Sequence, residues 1–186
     1  TFIGDFNEKQ LIENCCYYLG NLPTTNQKEE TKYVYFPFPE GKPSATVQKG
    51  QDNQGAVFMC FGGELEPAKD IEIGYKESTL FSQMVNILDI KLRENIREDK
   101  SGTYGVYVSP VFDGYPERFY KVSISFDCEP ERQDELKQAV LDTINDLKNN
   151  KISEDEVTKL KEAYVRNKET NLFENDWWMS RLNAAL

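Results

Sequence analysis

Histidine is absent from this 186-residue sequence. A His-x-x-Glu-His helix, which needs two imidazoles on one helical face and a glutamate between them as general base, therefore cannot be present. Ser-His-Asp and Cys-His nucleophilic sites fall with it. Cysteine is scarce too: of four residues, Cys15 and Cys16 are adjacent while Cys60 and Cys128 stand alone, so there is no Cys-x-x-Cys knuckle for structural zinc. No apolar run is long enough to cross a bilayer, and no segment reads as a signal peptide. Basic residues are outnumbered, 22 Lys and Arg against 32 Asp and Glu, and the net charge of −10 argues against nucleic acid or an anionic membrane as partner. The acidity reads as solvated helix faces. Carboxylate and lysine chemistry is not excluded, but no spacing points to it. By itself, the chain reads as catalytically silent.

What is present suits an ordinary folded domain. Hydrophobic content of 39% and aromatic content of 12% argue against disorder, and 186 residues suffice for one core, giving a single domain over 1–186. The chain opens without Met on Thr1-Phe2-Ile3-Gly4-Asp5-Phe6 and closes in a helical run through Trp177, Trp178 and Leu182 without a Gly or Pro stop. Such ends fit a piece excised from a longer multidomain chain. Compartment stays open, since four unpaired-looking cysteines lean only slightly towards a reducing environment.

The pattern predicts a strand over 1–6, then a helix capped by Asn7 with Gln10 three residues on, and ended by Gly20 and Pro23. A polar connection over 27–43 contains a short strand candidate over 33–36. Two antiparallel strands follow over 45–49 and 55–62. A second helix begins after Ser78 or Thr79, with Leu80, Met84, Ile87, Leu88, Leu92 and Ile96 at helical spacing and Phe81, Val85 and Ile90 widening the apolar surface. A hairpin comes next, in which Tyr120, Val122, Ile124 and Phe126 face one way and Lys121, Ser123, Ser125 and Asp127 the other. Pro130 opens a helix whose stripe is Leu136, Ala139, Val140, Ile144 and Leu147. Ser153 and Glu156 form a capping box, with Ile152 and Val157 at staple spacing, and Val157, Leu160 and Tyr164 form the next stripe. A last helix holds Phe173, Trp177, Trp178 and Leu182, read as packing aromatics rather than a ligand site. The order gives an α+β fold, with helices packed on one face of a mostly antiparallel sheet.

The most informative stretch runs from Leu92-Arg93-Glu94 through Arg97 and the Ser101-Gly102 turn to Tyr104-Gly105-Val106. It reads as the end of a buried helix turning into a strand, with Arg97 in the last helical turn and Tyr104 at the strand's start. Each has a plain structural explanation. A basic residue at a helix C-terminus complements the dipole by ~0.3–1 kcal/mol, and Tyr is an ordinary strand former.

Leu-Arg-Glu followed by a Gly-containing turn and Tyr-Gly-Val resembles the C-terminal, non-zinc-binding domains of the pitrilysin/insulinase-like zinc metallopeptidases. The opening Ile3-Gly4-Asp5-Phe6, the Tyr18-Leu19-Gly20-Asn21-Leu22-Pro23 segment and the closing Asn171-to-Trp178 run are similar to the same family. The chain departs slightly in having Lys100-Ser101-Gly102 where a shorter basic-Gly turn is common. The resemblance covers nearly the whole chain and implies the LuxS/processing-peptidase-like metalloenzyme fold. It also implies that zinc is held by N-terminal domains of the same protein or by a partner subunit, and that no cofactor is bound here. Tyr104 is then the catalytic residue, a phenol donating a hydrogen bond to the oxygen on which charge develops during peptide hydrolysis. Arg97, with Arg93 a turn earlier, binds the peptide substrate. A periplasmic or secreted location is compatible with the family, and a cytoplasmic one is not excluded. Two further readings remain: a domain of a degenerate, inactive member kept as a structural or assembly subunit, and an interaction module that shares only the fold.

Overall fold

The structure, a computed structural model, describes all residues except 25, 26, 29, 31, 33, 35, 36, 52, 100–102, 104, 114–116, 151 and 186; for 71, 97–99, 113, 184 and 185 it describes the backbone. The chain forms two compact units, Tyr35–Val157 and the pair Thr1–Val34 with Thr158–Leu186.

In the Tyr35–Val157 unit, three strands form an antiparallel sheet: β1 (Gly55–Glu64), β2 (Val106–Asp113) and β3 (Phe119–Cys128), in the order β1-β3-β2. Val57 and Val106 both register on Phe126, and Met59 and Val108 on Ile124. One face of the sheet is therefore a continuous apolar floor, as the alternation from Tyr120 to Phe126 predicts. Helices α2 (Ile71–Leu92) and α3 (Gln133–Asn149) supply the other half of the core, with Val85, Leu88, Leu92, Leu136, Ala139 and Val140 buried. Each fully buried side chain of this size contributes ~1.5–3 kcal/mol of transfer free energy. The α+β class, with helices on one face of an antiparallel sheet, is as the sequence predicts.

Helix α2 begins earlier than its apolar spacing suggests. Asp70 caps it, its Oδ1 accepting from Ile73 N–H at 2.8 Å, and this cap fixes the start at Ile71 rather than after Ser78. The buried stripe is also narrower than expected. Phe81, Val85, Leu88, Leu92 and Ile96 face the sheet, whereas Leu80, Met84 and Ile90 are exposed. Leu80 and Met84 each precede a stripe residue by one position, so ~100° of helical rotation carries them off the sheet. Arg118 braces the first half of α2, donating to Glu66 O at 2.5 Å and Glu77 Oε2 at 2.6 Å with its guanidinium 5.5 Å from the Phe112 ring centre.

The segment over 45–49 is exposed and outside the sheet, with Val47 85% accessible. Val47 is its only large apolar side chain, so pairing would bury little. The candidate strand over 33–36 lies largely outside the described residues, as does the tip of the hairpin at Gly114-Tyr115-Pro116.

In the other unit, α1 (Glu8–Tyr18) is capped as predicted, Asn7 Oδ1 accepting from Gln10 N–H at 3.0 Å. The strand expected over 1–6 is not formed: Gly4 sits at φ 145°, a conformation open to glycine but not to a regular strand, and Phe2 and Phe6 are exposed. Helix α5 (Asn175–Ala185) begins after Phe173, which is 88% exposed, so this aromatic lies outside the stripe assigned to it. Trp177 and Trp178 pack edge-on at 5.0 Å, and Trp178 Nε1–H donates to Leu172 O at 2.9 Å. The two rings contact each other, but Trp178, Leu182 and Phe173 are exposed, so the expected core packing of these aromatics is not met within this unit. Helix α4 (Glu154–Asn171), whose first residues belong to the Tyr35–Val157 unit, starts at the predicted capping box: Ser153 N–H donates to Glu156 Oε2 at 3.0 Å and Glu156 N–H to Ser153 Oγ at 3.2 Å.

Candidate functional site

The corner singled out by the sequence is built by α2, its continuation and the start of β2. The α-helix ends at Leu92, and Arg93–Asp99 forms a π-helix rather than the further α-turn that the spacing predicts. At the junction, Arg93 N–H donates to both Asp89 O and Ile90 O. Leu92 and Ile96 are fully buried on either side of it. A π-turn admits one extra residue per hydrogen-bonded ring and often marks functional segments.

Polar contacts fix the outer side of the same turn. Asn95 Nδ2 donates to Thr143 Oγ1 on α3 at 2.9 Å, and Thr143 Oγ1 donates to Ala139 O at 2.8 Å. Lys91 Nζ reaches Glu156 at 2.5 Å and Glu94 at 3.1 Å, so the end of α2 is ion-paired to the capping box of α4. The hydrogen bond from Lys91, reinforced by those from Ser153, holds the Glu156 carboxyl down at about 2. Reciprocally, Glu156 and then Glu94 raise the Lys91 ammonium. Neither Asn95 nor Thr143 is a site residue in the sequence reading. The signal for them is a polar residue, Thr143, beside the α3 stripe, and its full burial is visible only once the helices pack.

Of the predicted site residues, Arg93 is exposed and ion-paired through Nη2 to Asp89 one turn back on its own helix. Arg97 has its backbone in the π-helix; its side chain lies outside the described residues. Tyr104 and Gly102 also lie outside them. The residues flanking position 104 are tied to each other: Thr103 Oγ1 donates to Gly105 O at 2.9 Å and accepts from Gly105 N–H at 3.2 Å. Two residues on, Val106 is buried in the core. Of the described residues, buried Ile96 thus directly precedes Arg97 and buried Val106 closely follows Tyr104.

The sheet face opposite the helices carries small and polar residues, with Ser125 registered between Phe58 and Tyr107. Both aromatics are 70% exposed and border a shallow depression of about 290 Å³ that Ala56 and Asp127 also line. Among the described residues, no group of three His, Cys, Asp or Glu is placed to hold a metal ion, and no helix is long and apolar enough to cross a membrane. With histidine absent throughout, a histidine-ligated zinc centre is excluded for this chain. The four cysteines are free thiols, and burial raises the pKa of Cys128.

Comparison with known proteins agrees with this architecture. Among curated proteins, a zinc protease PQQL-like protein of Arabidopsis thaliana is 25% identical over 194 residues, covering 98% of this chain and 20% of that protein. The chain therefore spans about a fifth of the length of this relative. Among solved structures, the periplasmic protease PqqL from Escherichia coli matches with a TM-score of 0.64 at 22% identity, over 94% of this chain and 19% of that one. The ferredoxin protease FusC, solved as a mutant in complex with Arabidopsis ferredoxin, matches with a TM-score of 0.70 at 20% identity, over 92% of this chain and 18% of that one. At these identities the structural matches establish the fold. The sequence model of the family described as the peptidase M16 inactive domain covers residues 1–164, and the chain accordingly belongs to the M16 metallopeptidase family as its inactive domain.

Proposed function

We propose that this domain completes, without itself holding metal, the active site of a zinc-dependent peptidase whose catalytic centre lies on the N-terminal domains of the same protein or on a partner subunit. Tyr104 serves as the oxyanion donor and Arg97 as the substrate clamp. As the scissile carbonyl turns tetrahedral, negative charge grows on its oxygen. A phenol, with an ordinary pKa near ~10, donates a hydrogen bond there at neutral pH and keeps its proton. The planar guanidinium of Arg97 offers paired donors to a substrate carbonyl or carboxylate. Arg93, engaged by Asp89, is the lesser contributor to substrate binding.

The observation that carries this reading is the burial of the residues that flank the two groups. The π-helix at Arg93–Asp99 has buried Ile96 immediately before Arg97, and β2 has buried Val106 two residues after Tyr104. Rigid anchors on both sides suit groups that must meet a reacting atom on another domain, because small misplacements are costly to the rate. The test is Tyr104→Phe in the full-length protein, followed by cleavage of an internally quenched peptide. A kcat lower by ~10²–10³ with KM little changed is expected for loss of an oxyanion donor. An unchanged kcat rejects the role.

A further inference from the structure

We propose that Asn95 and Thr143 form a latch that keeps the end of α2 in its π form and so sets the position from which Arg97 acts, making both of them positioning residues for peptide hydrolysis. This rests on the reading of the Arg97–Tyr104 corner given above. Thr143 is 3% exposed and sits among the apolar residues of α3. Valine would fill the same volume, so packing alone does not call for a hydroxyl. That hydroxyl satisfies its own donor locally, on Ala139 O at 2.8 Å. Its oxygen still accepts from Asn95 Nδ2, 48 residues away in sequence, at 2.9 Å. The bond reaches from the most buried part of α3 to the third residue of the π-helix.

The geometry gives this bond leverage. A π-turn contains one residue more than the α-turn it replaces. Reversion to α geometry rephases every following residue by about one position, or ~100° around the axis. Arg97 lies two residues beyond Asn95, within reach of any such rephasing. Burial of Ile96 holds the segment against the core, and the amide-to-hydroxyl bond adds a defined line to that adhesion. The latch therefore selects the register that the backbone of residue 97 takes in the π-helix, and the core supplies the adhesion.

The experiment uses the full-length enzyme and an internally quenched peptide, with Thr143→Val, Thr143→Ser and Asn95→Ala each made alone and in an Arg97→Ala background. Thr143→Val and Asn95→Ala should each lower kcat ~10- to 100-fold, as for misplacement remote from the chemistry. KM should stay within about twofold, and Thr143→Ser should restore the rate. In the Arg97→Ala background, Thr143→Val should cause no further loss, because its effect passes through Arg97. A wild-type rate for Thr143→Val, or a loss that multiplies in full on Arg97→Ala, overturns the latch. Should Thr143→Val fail to fold, Asn95→Ala at a half-buried position carries the same comparison. Wild-type rates for both Arg97→Ala and Tyr104→Phe sink the underlying reading instead. Impaired Arg97→Ala and Tyr104→Phe beside a normal Thr143→Val and Asn95→Ala sink only the latch.

Discussion

Replacing Ile96 by alanine tests whether the corner is held by the core as described. Ile96 is fully buried in the cluster that includes Leu92, Val106 and Val140. The substitution deletes three carbons, worth ~0.8 kcal/mol each in transfer free energy, or roughly 2.4 kcal/mol together. The cavity left behind raises the cost to ~2–5 kcal/mol, depending on how far Leu92 and the sheet collapse into it. For a chain of 186 residues, each kcal/mol lowers Tm by ~2–4 °C, so a fall of roughly 4–20 °C is expected. Urea unfolding monitored by circular dichroism should show a lower midpoint at constant slope. Ile96→Val should cost ~0.5–1.5 kcal/mol. Thr143→Val, which removes a hydrogen bond and not volume, should cost only ~1 kcal/mol. If Ile96→Ala costs less than Thr143→Val, the helix end is not packed into the core, and the rigid-corner reasoning fails with it.

The Glu156 cluster predicts a specific acid response. The carboxyl is held at about 2 in the folded chain against an ordinary 4.5, so its stabilising effect is complete above the ordinary value and fades as pH falls towards about 2. The stability gap between wild type and Glu156→Gln should therefore close across that window and shrink with added salt; a gap independent of pH refutes the Lys91 pairing as its source. Gly62→Ala probes the other end of the sheet, where an added Cβ would lie 2.4 Å from Phe38 Cε1 and 2.8 Å from the backbone oxygen of Tyr120. Because that oxygen belongs to the sheet ladder, ~1–3 kcal/mol of destabilisation is expected in the same urea assay, and an unmoved midpoint contradicts the close approach.

Much of this architecture was legible locally, where the determinants are short in range. The capping pairs Asn7–Gln10 and Ser153–Glu156 are set by residues three apart, and both form with the predicted partners. The two-residue alternation of β3 assigned its buried face correctly, because one wet and one dry side leave a single workable register. Less was legible where packing width decides. Periodicity alone cannot say how much of an apolar helix the sheet will cover, so it places Leu80 and Met84 inside although both are exposed. Nor does the local pattern of the opening segment reveal the positive φ of Gly4, which a regular strand does not contain.

The same division holds for function. Sequence by itself determined that this chain cannot build a histidine-zinc centre and that it folds as α+β. These follow from composition and short-range order, which no folding can alter. Tertiary structure alone decided that the helix carrying Arg97 ends as a π-turn, tied to α3 through Asn95 and Thr143 and to α4 through Lys91 and Glu156. Those partners lie 48 and 65 positions apart. Nothing in their local pattern pairs them until the core brings the helices together.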